Sequence, residues 1–207
     1  MTPHFMPTFF SYPADALAGI SEQSAVIAGL MDASPWVSPK YLYGPLGSRL
    51  FDAITELPEY YPTRTEKTVL EACRDSIARA AGPAPTLIDL GAGNCEKARS
   101  LFHALKPRQY VAVDMSVEFL RHSMSHLQRD FPHLEMIGIG IDFSAGLRLP
   151  DAVRRENRFF FYPGSSIGNF TPVEALVFLA GIRAQCPVGG LLIGVDLIKD
   201  ASVLQAA

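Results

Sequence analysis

The run Leu87-Ile88-Asp89-Leu90-Gly91-Ala92-Gly93-Asn94-Cys95-Glu96-Lys97 constrains the fold more than any other stretch of this chain. It reads as a buried strand, a glycine turn and the start of a helix. Gly91 and Gly93 let a ligand come close to the backbone there. A second acid, Asp114, ends the next strand-like run, Tyr110-Val111-Ala112-Val113. The interval from Gly93 to Asp114 is about the twenty residues at which a carboxylate reaches ribose hydroxyls. Taken singly, a glycine turn or a strand-end acid is an ordinary loop feature. Together they point to an α/β nucleoside-binding architecture.

The rest of the pattern extends that architecture. From residue 86 onward, strand-like and helix-like segments alternate. Strands are expected at 86–90, 110–114, 134–141, 158–162 and 190–195, which implies a mostly parallel sheet with helices on both faces. The helix after the glycine turn is expected to run to about Leu105, where Pro107 stops it. Ser116 is placed to cap the next helix, whose Leu120, Met124, Leu127 and Phe131 share a face. Thr171-Pro172-Val173-Glu174 is a capping box with proline at the first helical position. Upstream, Ser48 is placed to cap a helix carrying Leu50, Phe51, Ile54 and Leu57. Val69, Leu70, Cys73, Ile77 and Ala80 form a second amphipathic helix, closed by Gly82-Pro83. Residues 1–36 read as an arm around one helix near 21–31. The expected division is 1–64 for the arm and helical part, and 65–207 for the core.

In open parallel sheets, ligands sit beyond the carboxyl ends of the strands. Gly91, Gly93, Asp114, Asp142, Gly164, Asn169 and Asp196 all fall there, and form one predicted site. Composition narrows the ligand. The 207 residues carry a net charge of -3, so nothing sequence-wide draws the chain to nucleic acid or anionic lipid. No apolar run is long enough for a membrane span, and the first thirteen residues lack a signal-peptide pattern. The three cysteines, Cys73, Cys95 and Cys186, have neither metal-ligand spacing nor an even count, which suits a reducing cytoplasmic setting.

A nicotinamide cofactor would call for Gly-x-Gly-x-x-Gly, but Asn94-Cys95-Glu96 follows Gly93 with no third glycine. Glu96 would also repel a pyrophosphate at the helix N-terminus. S-adenosylmethionine has no phosphate. It needs a glycine turn beside its aminoacyl tail and an acid on its ribose. Asp142-Phe143 can receive the adenine, with the acid accepting from the exocyclic amine and the ring packing nearby.

These residues, with four further blocks, resemble the histidine-specific, S-adenosylmethionine-dependent N-methyltransferases of the ergothioneine pathway. The blocks are Tyr41-Leu42-Tyr43-Gly44-Pro45-Leu46-Gly47-Ser48 with Leu50-Phe51; Leu57-Pro58-Glu59-Tyr60-Tyr61-Pro62-Thr63-Arg64-Thr65-Glu66; residues 163–170; and Asp196-Leu197-Ile198-Lys199-Asp200. The resemblance implies a Rossmann-like class I methyltransferase core with the N-terminal helical part of a substrate domain. It implies cofactor contacts from Gly91, Lys97, Asp114, Asp142 and Phe143, to which the glycine turn itself adds Gly93. It places Tyr60 against a histidine substrate and Asn169 on its amino group, with Tyr43 and Gly164 in the pocket wall. The implied reaction is methylation of the α-amine, up to trimethylhistidine. The glycine turn departs from the family's usual Ser and Thr at Ala92, Asn94 and Cys95. The resemblance also implies residues past Ala207 that supply the last strands and the groups reading the imidazole, so the chain reads as a fragment or a shortened relative.

Other readings stay open. The substrate is another amino acid or small amine, or the chain is a non-catalytic module that binds cofactor or self-associates through an exposed strand at 190–195. Tyr60 and Tyr61 also fit as packing residues, and Asn169 as a turn cap. His122 and His126 lie one helical turn apart but have no acid or cysteine at ligand spacing. Cys95 near a helix N-terminus is expected to have a lowered pKa.

Overall fold

The computed structural model describes residues 4–12, 16–42 and 44–202. Its centre is a six-stranded sheet built from β1 (Thr8–Ser11), β2 (Thr86–Leu90), β3 (Gln109–Asp114), β4 (Glu135–Gly140), β5 (Arg158–Tyr162) and β6 (Gly189–Ile193). The spatial order is β1-β4-β3-β2-β5-β6, and every pairing is parallel. Chain order therefore runs from β2 through β3 to β4 on one side. It then crosses back, so that β5 pairs with the opposite side of β2. That reversal puts a ligand crevice at the carboxyl end of β2.

The strand sequences dictate two buried faces. In β2, alternate side chains split between them: Leu87 packs with Ala112, Met136, Phe159 and Phe161, while Ile88 packs with Val111, Ile137 and Phe160. The first face is covered by α4 (Arg74–Ala81), α5 (Glu96–Arg99), α6 (Phe102–Leu105) and α7 (Val117–Asp130), through Ile77, Ala98, Phe102, Leu120 and Met124. The second is covered by α8 (Pro172–Gln185), through Phe178 and Ile182. A sheet covered on both sides accounts for the unbroken apolar runs of its strands. The capping box of α8 forms as its sequence predicts: Glu174 N–H donates to Thr171 Oγ1 at 3.3 Å, and Thr171 N–H to Glu174 Oε2 at 2.8 Å.

Several local expectations are corrected. β1 lies in the segment read as an arm; it pairs with β4 from Thr8↔Ile137 to Ser11↔Gly140. Two glycines of β4 make room for its neighbours, Gly138 for β1 and Gly140 for α7. A Cβ on Gly138 would lie 2.4 Å from the Phe9 ring, and one on Gly140 would lie 2.4 Å from Val117 Cγ2. The remaining helices are α1 (Ala16–Leu30), α2 (Pro45–Thr55) and α3 (Tyr61–Ala72). α2 starts after Gly44 rather than Ser48, because Pro45 supplies a helical φ at its first position. The helix expected across residues 69–80 breaks at Cys73 into α3 and α4, which Gly82 closes. The helix after the glycine turn also breaks, into α5 and α6, and Lys106 follows in the left-handed region at φ 45°. Ser116 precedes α7, but its side chain makes no cap bond, and among the described residues its buried hydroxyl has no hydrogen-bond partner.

Candidate active site

The glycine turn leaves β2 with left-handed backbone at Gly91 (φ 72°), Gly93 (φ 52°) and Cys95 (φ 64°). Glycine takes this conformation without steric cost. The N–H groups of Gly91 and Ala92 both donate to Val113 O, at 2.9 and 3.1 Å, which folds the turn over the end of β3. Asp114, at that end, receives Gly93 N–H on Oδ2 at 2.9 Å and Ser116 N–H on Oδ1 at 2.8 Å. The carboxylate is thereby fixed in orientation, while each oxygen keeps a lone pair for a further donor. Burial raises the Asp114 pKa despite these bonds, which oppose the rise. A Cβ on Gly93 would meet nothing within 4 Å, so open space lies over the turn. An oriented acceptor beside open space suits the vicinal hydroxyls of a ribose, and the residues fit an adenosyl cofactor at this point.

A buried network supports the turn from below. Tyr110 OH donates to Asp89 Oδ2 at 2.8 Å, and both side chains are enclosed. Desolvation pushes the Asp89 carboxyl up to about 7, against the pull of Tyr110 and Lys97. Cys95 packs into the same cluster at 1% exposure. Its thiol pKa is raised, chiefly by burial and then by Asp89, which overturns the lowered value expected from sequence. The four-residue α5 has too little dipole to offset desolvation. Cys95 is a packing residue.

On one flank, Lys97 Nζ meets Glu66 Oε2 at 2.6 Å, and Glu66 Oε1 accepts Gly164 N–H at 2.7 Å. Glu66 comes from α3, so one carboxylate joins that helix, the glycine-turn helix α5 and the loop after β5. Gly164 itself is left-handed at φ 79°. The next residue, Ser165, accepts Asp196 N–H on its hydroxyl at 2.8 Å, and Tyr61 OH donates to Asp196 Oδ2 at 2.9 Å. Tyr61 thus has a polar partner where sequence reasoning saw only packing. Glu66 has no role in the sequence reading. The signal that would have found it is an acid one helical turn or so after two tyrosines in a block rich in ring and proline residues.

On the other flank, Asp142 Oδ1 accepts Ser144 N–H at 3.0 Å, and its Oδ2 lies 3.6 Å from Lys40 Nζ. Lys40 also pairs with Glu22 of α1 at 2.7 Å, so the N-terminal segment reaches the acid expected to hold the adenine. The Phe143 ring stands edge-on to Tyr162, with centroids 5.9 Å apart, and 3.9 Å from where a Gly91 Cβ would be.

The predicted residues therefore gather in two groups. Gly91, Gly93, Asp114 and Phe143 meet at the turn, with Asp142 beside Phe143; Lys97 and Gly164 meet through Glu66. Tyr60 heads α3, edge-on to Phe51 at 5.8 Å between ring centroids. Asn169 closes the 3-10 turn Ser166–Asn169, with its side chain exposed. Among the described residues its carboxamide makes no hydrogen bond to another member of the set. Tyr43 lies outside the described residues. The rings of His122 and His126 are 4.5 Å apart, and among the described residues no third ligand joins them.

Comparison with known proteins bears on this geometry. A family described as "Histidine-specific methyltransferase, SAM-dependent" matches residues 22–207. Histidine N-alpha-methyltransferase of Mycobacterium tuberculosis is 39% identical over 189 residues, covering 88% of this chain and 57% of that protein. The chain therefore spans little more than half the length of this relative. A 4-dimethylallyltryptophan N-methyltransferase of Claviceps purpurea is 29% identical over 173 residues, covering 79% of this chain and 50% of its own. Among solved structures, the mitomycin 7-O-methyltransferase MmcR superposes with a TM-score of 0.55 at 16% identity, over 91% of this chain and 53% of that one, which shows the α/β fold. With the match running from α1 through the glycine turn to the last residue, the chain belongs to the family of histidine-specific, S-adenosylmethionine-dependent methyltransferases.

Proposed function

We propose that this chain holds the cofactor site and one wall of the amine site of an N-methyltransferase that methylates the α-amino group of histidine, up to trimethylhistidine. The observation that carries the reading is Asp114, held by two backbone N–H groups at the open glycine turn. S-adenosylmethionine, when bound, supplies a methyl group on a sulfonium centre. The chain's work is to orient and to exclude water. Asp114 takes the ribose hydroxyls, Asp142 and Phe143 take the adenine, and Gly91, Gly93 and Lys97 line the aminoacyl tail. Tyr60 faces the histidine, with Tyr43 and Gly164 in the wall. Asn169 accepts a hydrogen bond from the amine through its carboxamide oxygen and turns the nitrogen lone pair toward the methyl. A neutral amine is nucleophilic enough without a strong base.

Residues 65–207 form the core in this reading, joined at its edge by β1, and residues 1–64 otherwise belong to the arm and the substrate side. The three free thiols agree with a cytosolic setting. No helix of the described residues is long and apolar enough to cross a membrane. The edge strand β6 is the surface for strand-to-strand self-association. Light scattering checks this last point: a dimer supports it, and a monomer at high concentration refutes it.

The test of function is calorimetric binding of S-adenosylmethionine, followed by a methyl-transfer assay on histidine and its partly methylated forms. Asn169→Ala is expected to abolish transfer while cofactor affinity stays within about twofold. Unchanged transfer refutes the role of Asn169. A second reading, methylation of another amino acid or small amine, draws on the Claviceps relative, whose name gives a prenylated tryptophan as substrate. Running the same assay over a panel of amino acids separates the two. Cofactor binding without turnover of any amine would leave a non-catalytic binding module.

A further inference from the structure

Glu66 occupies a niche built for a carboxylate. Both of its oxygens are used, one by Lys97 Nζ at 2.6 Å and one by Gly164 N–H at 2.7 Å. Its side chain is 19% exposed, against 36% for Lys97. The niche is closed by Gly194, the residue after β6. A Cβ there would lie 2.3 Å from Glu66 Oε1 and 3.2 Å from Gly164 N. Gly194 N–H donates to Tyr162 O at 2.9 Å, so its backbone cannot retreat without breaking the sheet's extension. A Cβ on Gly164 would in turn come within 3.2 Å of Lys97 Nζ. Two residues without side chains thus leave room for one acid and one base to meet.

We infer that Glu66 is a positioning residue that couples the cofactor and amine subsites. Through Lys97 it sets the cation at the cofactor's aminoacyl end, and through Gly164 it sets the loop that carries Asn169. This rests on the methyltransferase reading above and adds to it the means by which the two subsites keep register. The ammonium of Lys97 has three donors. Glu66 takes one and so restricts the directions in which the others point, toward an anion beyond. A free lysine would sample several rotamers and lose that pre-organisation. On the amine side, Gly164 N–H is the first backbone donor of the loop. Pinning it, together with the Ser165–Asp196–Tyr61 bonds, fixes where the loop begins.

The experiment is a double-mutant cycle on the whole chain, read as the calorimetric Kd for S-adenosylmethionine. Glu66→Gln keeps an acceptor for Gly164 but removes the charge facing Lys97. It is expected to weaken binding about tenfold, the scale of one charge-assisted hydrogen bond. In a Lys97→Met background the same change is expected to cost less than about twofold, because Glu66 acts through Lys97. Equal losses in both backgrounds would mean a general structural role and overturn the inference. So would unchanged or tighter binding by Glu66→Gln. Amide hydrogen exchange at Gly164 reads the other arm: Glu66→Ala is expected to speed it at least about tenfold, and an unchanged rate overturns the coupling. If the Glu66 variants do not fold, Gly194→Ala displaces the carboxylate from the opposite side and is judged by the same outcomes. Failure of the unaltered chain to bind S-adenosylmethionine would overturn the methyltransferase reading and this inference with it. Binding by the unaltered chain with equal losses would overturn this inference alone.

Discussion

Replacing Asp89 by asparagine removes a titration that the fold imposes, and the size of the effect follows from the structure. The carboxyl is enclosed at 2% exposure and bonded to Tyr110, and burial raises its pKa from 3.8 to about 7. The folded state therefore holds a proton that the unfolded chain releases. A group of this kind contributes its full stability below the unfolded value and loses it as pH rises through the folded value. The slope is about 1.4 kcal/mol per pH unit between the two values. From pH 5 to pH 8 the linkage relation gives a loss of roughly 2.5 kcal/mol from this group alone. The substituted carboxamide would keep an acceptor for Tyr110 OH and carry no proton to lose. Urea unfolding followed by far-UV circular dichroism at pH 5, 6, 7 and 8 measures both proteins. The stability of Asp89→Asn minus that of the unaltered chain is expected to climb by about that amount across the series, other titrations cancelling in the difference. A difference that stays flat, or that falls with pH, would mean that folded Asp89 does not hold its proton in this range.

Three further outcomes are expected. Asp114→Asn turns an amide donor toward one of the two N–H groups the carboxylate now accepts from, so S-adenosylmethionine binding should fall about tenfold or more by calorimetry. Under native conditions a thiol reagent should modify exposed Cys73 rapidly and buried Cys95 and Cys186 only after denaturant is added; rapid native labelling of Cys95 would contradict its raised pKa and burial. Gly138→Ala drives a methyl into the Phe9 ring and should cost about 1–3 kcal/mol, with loss of protection at the β1 amides in hydrogen exchange.

Much of this molecule was legible because its strands are buried on both faces. Residues 86–90 and 158–162 are short, wholly buried runs bounded by turn residues, and the structure starts and ends β2 and β5 at those bounds. The capping box at Thr171 was equally plain, since its partners are three residues apart. What escaped depends on distant chain. β1 has four half-buried or exposed residues and no local pattern, and only its partner β4, across the glycine at 138, makes it a strand. The breaks at Cys73 and after Arg99 carry no proline or glycine to announce them. In the site, Asp114 and the glycine turn showed because a spacing rule links them. Glu66 did not, because its partners lie in a different helix and a different loop. The Cys95 thiol departs from the helix-terminus rule because its helix has four residues and its place is desolvated.

The parallel pairing of β1 with β4 also sets an order of events at the ribosome. Thr8 is made well before its partner Ile137, which emerges only after two other strands of the sheet. Until then Phe9 and Phe10 lack the strand they pair with, and this segment waits with two aromatic rings off the sheet. The sheet therefore closes this margin only when the earlier residues return to meet the later ones, a long-range contact that comes late in folding.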